Sequence, residues 1–212
     1  MEVKDVDICI TTYNRNERLK MTLQLLSNQT NMNFNLIIND DGSKQLIDPN
    51  EFPIITKYIW NKDNKYNRVE RFNESILKCV SPCIIILDDD CLPIYNTFID
   101  AHLECLKHTD FSKGTVKFPG GWEADGWFST ANLGFNRNVI KEYGLFLPEY
   151  NGNYGYEDMD LGEEIKTMKL RVIDNKNAPV MTGSDMYLNG DRSDAIVGIN
   201  RAIFEKRWNK KE

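Results

Sequence analysis

The first hundred residues alternate between two apolar textures. Val6 to Thr12 is a β-rich apolar run, followed by the turn-like Tyr13-Asn14-Arg15-Asn16 and then by Leu19, Leu23 and Leu26 at helical spacing, which predicts strand, loop and helix. Phe34 to Ile38 is a second short apolar run, and it stops at the turn formers Asn39-Asp40-Asp41-Gly42-Ser43. Ile54 to Trp60 reads as a third strand, and Val69 to Val80 as a helix with Phe72, Ile76 and Val80 on one face. Cys83 to Leu87 is a fourth strand and Phe98 to His108 a further helix. This alternation predicts an α/β fold, a mixed, mainly parallel sheet with helices on both faces. From Gly114 onward Gly and Trp become more frequent, the strands less regular, and a helix is predicted from about Asp158 to Lys169. With no repeat, low-complexity tract or linker in 212 residues, the expectation is one domain built from two halves.

Composition narrows the function classes. Hydrophobic residues at 41% and charged residues at 27% support a packed core rather than a disordered chain. A net charge of -6 argues against general binding to a nucleic-acid backbone, which needs a basic stripe. A phosphate ligand must therefore be met locally, by a divalent cation on carboxylates and by individual Arg side chains. Cys9, Cys79, Cys83, Cys91 and Cys105 form no CxxC pair and read as reduced core residues. The two histidines, His102 and His108, lack zinc-site spacing and read as surface side chains of one helix. No apolar run reaches the ~18 residues of a membrane span. The chain reads as soluble and cytoplasmic.

Three of the predicted strands end in polar clusters, Thr11-Thr12-Tyr13, Asp40-Asp41-Gly42-Ser43 and Asp88-Asp89-Asp90. In an open parallel sheet, ligands sit outside the carboxyl ends of the strands, so all three clusters can line one crevice. The run Ile84-Ile85-Ile86-Leu87 delivers three acidic groups to one place, where like charges repel and a divalent ion ligated by carboxylate oxygen is the usual compensation. Extended-chain alternation sends Asp88 and Asp90 to one side and Asp89 to the other. The Asp40-Asp41-Gly42-Ser43 cluster is by itself a common turn; beside the acidic cluster it reads as a nucleotide-base reader, since a carboxylate accepts the imide N–H of uracil.

These segments together resemble a known family. Ile8 to Arg15, Ile37 to Ser43, Asn61 with Arg71-Phe72-Asn73, Ile86 to Asp90, Gly134 to Arg137, Tyr143 to Phe146 and Gly155 to Gly162 are similar, in order, to the motifs of family 2 glycosyltransferases of the Rossmann-like GT-A fold. The resemblance covers about residues 6 to 165 and implies a metal-dependent, inverting transfer of a sugar from a nucleotide diphosphate donor. A UDP-sugar is the favoured donor, and a glycan or glycoconjugate hydroxyl the acceptor. It implies a donor half at about 1–112 and an acceptor half at about 113–212. Thr11, Tyr13, Arg15 and Asp40 or Asp41 would hold the nucleoside. Arg71 and Arg68, one helical turn apart, would approach the nucleotide. Asp88 and Asp90 would hold Mn2+ or Mg2+ on the diphosphate, with Asp89 beside them in the nucleotide-sugar site and Asp90 the first choice for direct ligation.

The same resemblance places the proton acceptor in an acidic pair at a helix start, matching Glu157-Asp158. Asp158 is then the base, and Glu157 contacts the acceptor or supports the loop. Physical chemistry agrees, because Asp is a favoured helix cap and the helix start stabilises an anion. The glycine-bearing stretch Asn151 to Gly155 would let the backbone approach a sugar. Trp122, Trp127 and Phe128 flank Gly120-Gly121 and Gly126, and suit sugar stacking at the acceptor site, with Asp125 as polar partner to Trp122. The chain departs from the family beyond residue 165, where no histidine is available to complete a metal shell. Arg201 to Lys211 reads as a basic lid or an exposed helix end. Two other readings compete. A sugar-1-phosphate nucleotidyltransferase ordinarily carries a Gly-rich basic loop after its first strand, which Tyr13-Asn14-Arg15-Asn16 is not. A non-catalytic nucleotide-sugar binding domain would have little use for intact Asp88-Asp90 and Glu157-Asp158 pairs.

Overall fold

Strand β1 (Val6–Thr12) sends Val6, Ile8 and Ile10 to one face of the sheet and Cys9 to the other, and all four are buried. A strand apolar on both sides belongs in the middle of a covered sheet. It pairs in parallel with β2 (Phe34–Asp40) on one side and β4 (Cys83–Asp88) on the other, and β3 (Ile55–Trp60) continues the parallel run beyond β2. The computed structural model describes residues 3–62, 67–121, 123, 128–142, 144–182 and 194–208. Beyond β4 the sheet continues through β7 (Asn132–Asn136), β6 (Phe111–Lys117), β8 (Val172–Thr182) and β5 (Cys91–Pro93), giving the eight-stranded order β3-β2-β1-β4-β7-β6-β8-β5. Only β7 and β5 run against the others, so the sheet is mixed and mainly parallel, as predicted.

Helices cover both faces. Leu19, Leu23 and Leu26 of α1 (Asn16–Leu26) and Phe98 and Ile99 of α3 (Phe98–Leu106) pack against Val6, Ile8 and Ile10. The opposite layer joins Val69, Phe72 and Ile76 of α2 (Arg68–Leu77), Leu161 and Ile165 of α4 (Glu157–Thr167), and Phe204 of α5 (Asp194–Trp208) around Cys9, Ile84 and Ile86. Each large aliphatic side chain taken fully out of water contributes roughly 1.5–3 kcal/mol, so the two layers supply the main stabilisation. All five cysteines are free thiols; Cys9, Cys79 and Cys91 are buried, as their sequence context implied, while Cys83 and Cys105 are partly exposed. No helix among the described residues is long and apolar enough to cross a membrane.

Two sequence expectations fail for reasons visible in the packing. Val80 was expected on the buried face of α2, but the helix ends at Leu77, Cys79 takes the buried place and Val80 is 58% exposed. The cause is Asp7, a charged residue near the amino end that is in fact buried. Its carboxylate accepts from the backbone N–H of Val80 (2.6 Å) and Ser81 (2.9 Å), the Ser81 hydroxyl (2.8 Å) and the Asn35 side-chain amide (2.6 Å), which turns the chain out of the helix.

The second failure is His102, which is wholly buried; only His108 is a surface residue. Nε2 of His102 lies 2.9 Å from Asn132 Oδ1 and Nδ1 lies 2.9 Å from Ser112 Oγ. The Asn132 amide donates to Ala178 O, which fixes its oxygen toward the imidazole and makes Nε2 the donor. Gly134 makes the space, since a Cβ there would stand 2.9 Å from Nδ1. Burial lowers the imidazole pKa from 6.5 to about 4, against the hydrogen bonds to Asn132 and Ser112, which raise it.

A pH dependence follows. Between those two values the unfolded chain binds a proton that the folded chain refuses, so this contribution to stability is complete above 6.5 and shrinks as the pH falls to about 4, by roughly 3 kcal/mol at most. Urea unfolding at pH 7.5 and pH 4.5 is expected to show a smaller acid loss in His102→Gln than in the wild type. Equal losses would disprove the assignment.

Candidate functional site

The three polar strand ends lie level with one another. Thr11 stands opposite Asn39 on one side and Asp88 on the other, and Thr12 stands opposite Asp40. The carboxyl ends of β1, β2 and β4 therefore open onto one crevice. Asp40 builds its floor: Oδ1 accepts from the N–H groups of Gly42 (3.0 Å) and Ser43 (2.7 Å), and Oδ2 from the Tyr58 hydroxyl (2.6 Å). Gly42 supplies the φ of 100° that this turn requires. The loop after β1 is stapled to it, with Asn14 N–H on Ser43 Oγ (2.7 Å) and Lys44 N–H on Asn14 Oδ1 (2.9 Å), and it leaves Tyr13 exposed. Asp41 is buried at the mouth of this turn, accepting from Arg71 Nε (2.9 Å) and from the Asn67 backbone N–H (2.9 Å). Of the two candidate base readers, Asp40 is thus committed to the turn, while Asp41 sits beside an Arg.

The acidic cluster departs from simple alternation, because β4 ends at Asp88 and a turn carries Asp89 and Asp90. Arg15 Nη1 reaches both Asp89 Oδ1 (3.2 Å) and Asp90 Oδ2 (3.5 Å). Thr12 Oγ1 donates to Asp89 Oδ2 (2.8 Å), and Thr22 Oγ1 to the Asp89 carbonyl (2.9 Å). Burial pushes Asp89 up to about 7, opposed by Arg15 and reinforced by Asp90. Asp90 is raised as well, by burial and then by the charge of Asp88, against Arg15 and Arg18. Asp90 Oδ1 is buried without a hydrogen-bond partner. An unfilled carboxylate oxygen beside other acids suits a cation. Among the described residues no trio of His, Cys, Asp and Glu side chains is arranged to hold a metal by itself. A cation on Asp88 and Asp90 would draw the rest of its shell from ligand oxygens and water.

The second acidic pair comes from across the crevice. Gly155 (φ 84°) and Tyr156 (φ 69°) turn the chain through left-handed backbone into α4, a strained arrangement for Tyr156 that the packing must hold. Glu157 is buried, with Oε1 2.6 Å from Arg68 Nη1 and Oε2 unpartnered. Arg68 Nη2 lies 2.7 Å from Asp88 Oδ1, so one guanidinium joins the two acidic groups. Asp158 is partly exposed; the Thr130 hydroxyl (2.6 Å) and N–H (3.3 Å) donate to its two oxygens. Burial raises both pKa values, Glu157 to about 7 with help from Asp158, and Asp158 against Arg68 and Thr130.

The structure thus brings Thr11, Tyr13, Arg15, Asp41, Arg68, Arg71, Asp88, Asp89, Asp90, Glu157 and Asp158 to the strand ends and the acidic groups above them, with Asp40 beneath as turn builder. Trp122, Asp125 and Trp127 lie outside the described residues. Phe128 packs on Gly162 of α4, where a Cβ would meet Phe128 Cβ at 3.0 Å and Cγ at 3.2 Å, so it is a wall of the core layer. The basic carboxyl-terminal stretch is no lid as far as Trp208. Arg207 pairs with Asp160 (2.6 Å) and with Glu164, and Trp208 Nε1 donates to Asp160 (2.7 Å). Asp160, also bonded to the Tyr150 hydroxyl, is thereby a docking point for α5.

Sequence reading put Thr12 in a crevice-lining cluster without giving it a role, and missed two further supports of the site. Thr12 holds Asp89 through its hydroxyl and Thr130 holds Asp158 through its hydroxyl and N–H, which no spacing reveals. Asn200, buried in α5, donates to Tyr150 O (3.1 Å) and Gly155 O (2.8 Å), closing the loop that leads into Glu157. Its only sequence signal is an amide between the apolar Ile199 and Ile203 side of a helix.

An open, mainly parallel sheet with acidic groups at the carboxyl ends of its strands defines the class, a Rossmann-like fold of the GT-A type. Solved structures share it: mannosyltransferase PcManGT from Pyrobaculum calidifontis, in complex with GDP-Man and Mn2+, superposes with a TM-score of 0.69 at 14% identity, over 100% of this chain and 66% of that one. S. aureus TarS 1-349, in complex with UDP-GlcNAc, gives 0.66 at 15% identity, over 94% of this chain and 65% of that one. The chain belongs to glycosyl transferase family 2, whose profile matches residues 7–116. Among curated proteins it is 25% identical to chondroitin synthase of Pasteurella multocida (strain Pm70) over 80% of this chain, and it spans only 24% of that relative's length.

Removing the Asn200 amide leaves the Tyr150 and Gly155 carbonyls without their partner, at a cost of about 1–3 kcal/mol. Asn200→Ala is expected to speed amide hydrogen exchange in residues 151–158 while leaving β1 and β4 unchanged. Unaltered exchange in that loop would remove the clamp role.

Proposed function

We propose that the chain transfers a sugar from a nucleotide diphosphate donor, with a UDP-sugar favoured, to a hydroxyl of a glycan or glycoconjugate, with inversion and with help from Mn2+ or Mg2+. The observation that carries this reading is the unfilled, buried Asp90 oxygen close to Asp88, together with the Arg68 guanidinium that links Asp88 to Glu157 of the second acidic pair. Mn2+ bound to PcManGT and the nucleotide sugars bound by both solved neighbours support it. Family membership favours transfer over the nucleotidyltransferase alternative.

Residues of about 1–112 form the donor half and those of about 113–212 the acceptor half of one domain. Tyr13 and Thr11 flank the nucleoside, Asp41 accepts the uracil imide N–H beside Arg71, and Arg15 and Arg68 meet phosphate oxygens. Asp88 and Asp90 would hold the divalent ion, which would supply Lewis-acid neutralisation of the leaving diphosphate. Asp158 takes the proton of the acceptor hydroxyl. It is the more exposed member of its pair, and Thr130 fixes its orientation, whereas Glu157 is enclosed and holds Arg68. Trp122 and Asp125 contact the acceptor. Free cysteines throughout agree with a reducing cytoplasmic setting.

Calorimetry with UDP in Mn2+ and in EDTA tests the donor site. Tighter binding in Mn2+, lost in Asp90→Ala, is expected; equal affinity in both removes the metal role, and tighter binding of GDP than of UDP removes the uridine preference. For the base, Asp158→Asn is expected to bind donor normally and to transfer about 10²–10⁴-fold more slowly, the usual worth of general-base catalysis. Glu157→Gln should mainly raise KM. The reverse order would make Glu157 the base, and two active variants would reduce the pair to a helix start.

A further inference from the structure

We infer that Arg68 is a positioning residue that occupies the cation's place on Asp88 until donor and cation arrive together, and that it then exchanges Asp88 for the diphosphate while keeping hold of Glu157. This rests on the metal reading above and goes beyond nucleotide contact by Arg68.

The geometry is specific. The Arg68 guanidinium donates 2.7 Å to Asp88 Oδ1 with one terminal nitrogen and 2.6 Å to Glu157 Oε1 with the other. Its carbon lies 5.1 Å from the centre of the Phe72 ring, which supports the side chain from α2. At 19% exposure the group is largely withdrawn from water, so its attraction for both carboxylates is weakly screened. Asp89 and Asp90 have their counter-charges on the near side, in Arg15 and Arg18 of the loop and helix after β1. Asp88 is met instead by a side chain shared with the far acidic pair.

A divalent ion and a guanidinium cannot share Asp88 without strong mutual repulsion, so a cation that ligates Asp88 must drive Arg68 away. Leaving Glu157 as well would strand a buried carboxylate whose second oxygen is already unpartnered. The less costly movement is a turn about the Glu157 bond that frees the Asp88-facing nitrogen. Phosphate oxygens are the partners a planar guanidinium fits best. The cation alone therefore meets a competitor, whereas cation and diphosphate together relieve it. By linkage, each tightens the other through Arg68.

Electron paramagnetic resonance of free Mn2+ over the full chain, with and without UDP, tests this without recourse to turnover. In the wild type, Mn2+ is expected to bind at least about tenfold more tightly with UDP than without it, a coupling within the ordinary range for linked sites. Arg68→Met should bind Mn2+ several-fold more tightly than the wild type in the absence of UDP, and the UDP-dependent gain should collapse. Arg68→Lys, which keeps the charge, should stay close to the wild type without UDP. If Arg68→Met fails to fold by circular dichroism, Arg68→Gln carries the same expectation. Unchanged or weaker Mn2+ binding without UDP overturns the inference, as does a rise that is equal with and without UDP, which marks a general charge effect. If the wild type binds no Mn2+ under either condition, the metal reading falls and takes the exchange with it; if it binds Mn2+ with UDP and only the variant pattern fails, the metal reading stands.

Discussion

Carboxylates withdrawn from water and set beside one another must be neutralised, and the arrangement of this molecule follows from how that is done. Asp41, Asp89, Asp90 and Glu157 are all buried near the ends of three level parallel strands, with Asp88 among them. Their counter-charges arrive from separate elements: Arg15 and Arg18 from the first loop and helix, Arg68 and Arg71 from α2. Each pairing pins an element to the crevice, so α1, α2 and the start of α4 take positions set by charge as well as by the apolar layers beneath. For the enclosed Arg71–Asp41 pair, removing one partner costs about 3–5 kcal/mol because the other is left uncompensated, and the more exposed Arg15 and Arg18 pairs contribute less.

Much of this was legible in the sequence. The apolar runs located β1 to β4 and the helices α1 to α4, since a strand buried on both faces cannot be mistaken for a solvated segment, whereas β5 to β8, shorter or more polar, carried no comparable run. Polar clusters immediately after those runs marked the strand ends, and a parallel sheet brings such ends together. Arg71, with Arg68 one helical turn away, and the Glu157-Asp158 pair were singled out by the resemblance to family 2 motifs, and the helical spacing of the one and the helix start of the other agreed with it.

What stayed illegible depended on contacts between distant residues. Asp7 looks like part of a charged amino end, and only the return of the chain at Val80 and Ser81 explains its burial. His102 lies on a helix whose neighbours, Glu104 and His108, are exposed, and nothing local reports that Gly134 clears a space for an imidazole. The split of Asp88 from Asp89 and Asp90 was hidden because alternation holds only while the chain remains extended, and the turn begins one residue sooner than the motif suggests. Thr130 and Asn200 were missed because a single hydroxyl or amide carries no period.

The Asp7 clamp also bears on why the two ends of the sheet behave differently. At that end a carboxylate is satisfied by backbone N–H groups and neutral side chains, partners that cannot leave without unravelling the chain. At the opposite end Asp40 has fixed partners of the same kind, but Asp88, Asp89 and Asp90 are met by guanidinium heads on long, jointed stems. Amide dipoles make a permanent weld, whereas a mobile cation makes a coupling that another cation can undo. The sheet thus has one sealed rim and one reversible rim, and the difference lies in the tether of the donor, with the acid itself unchanged.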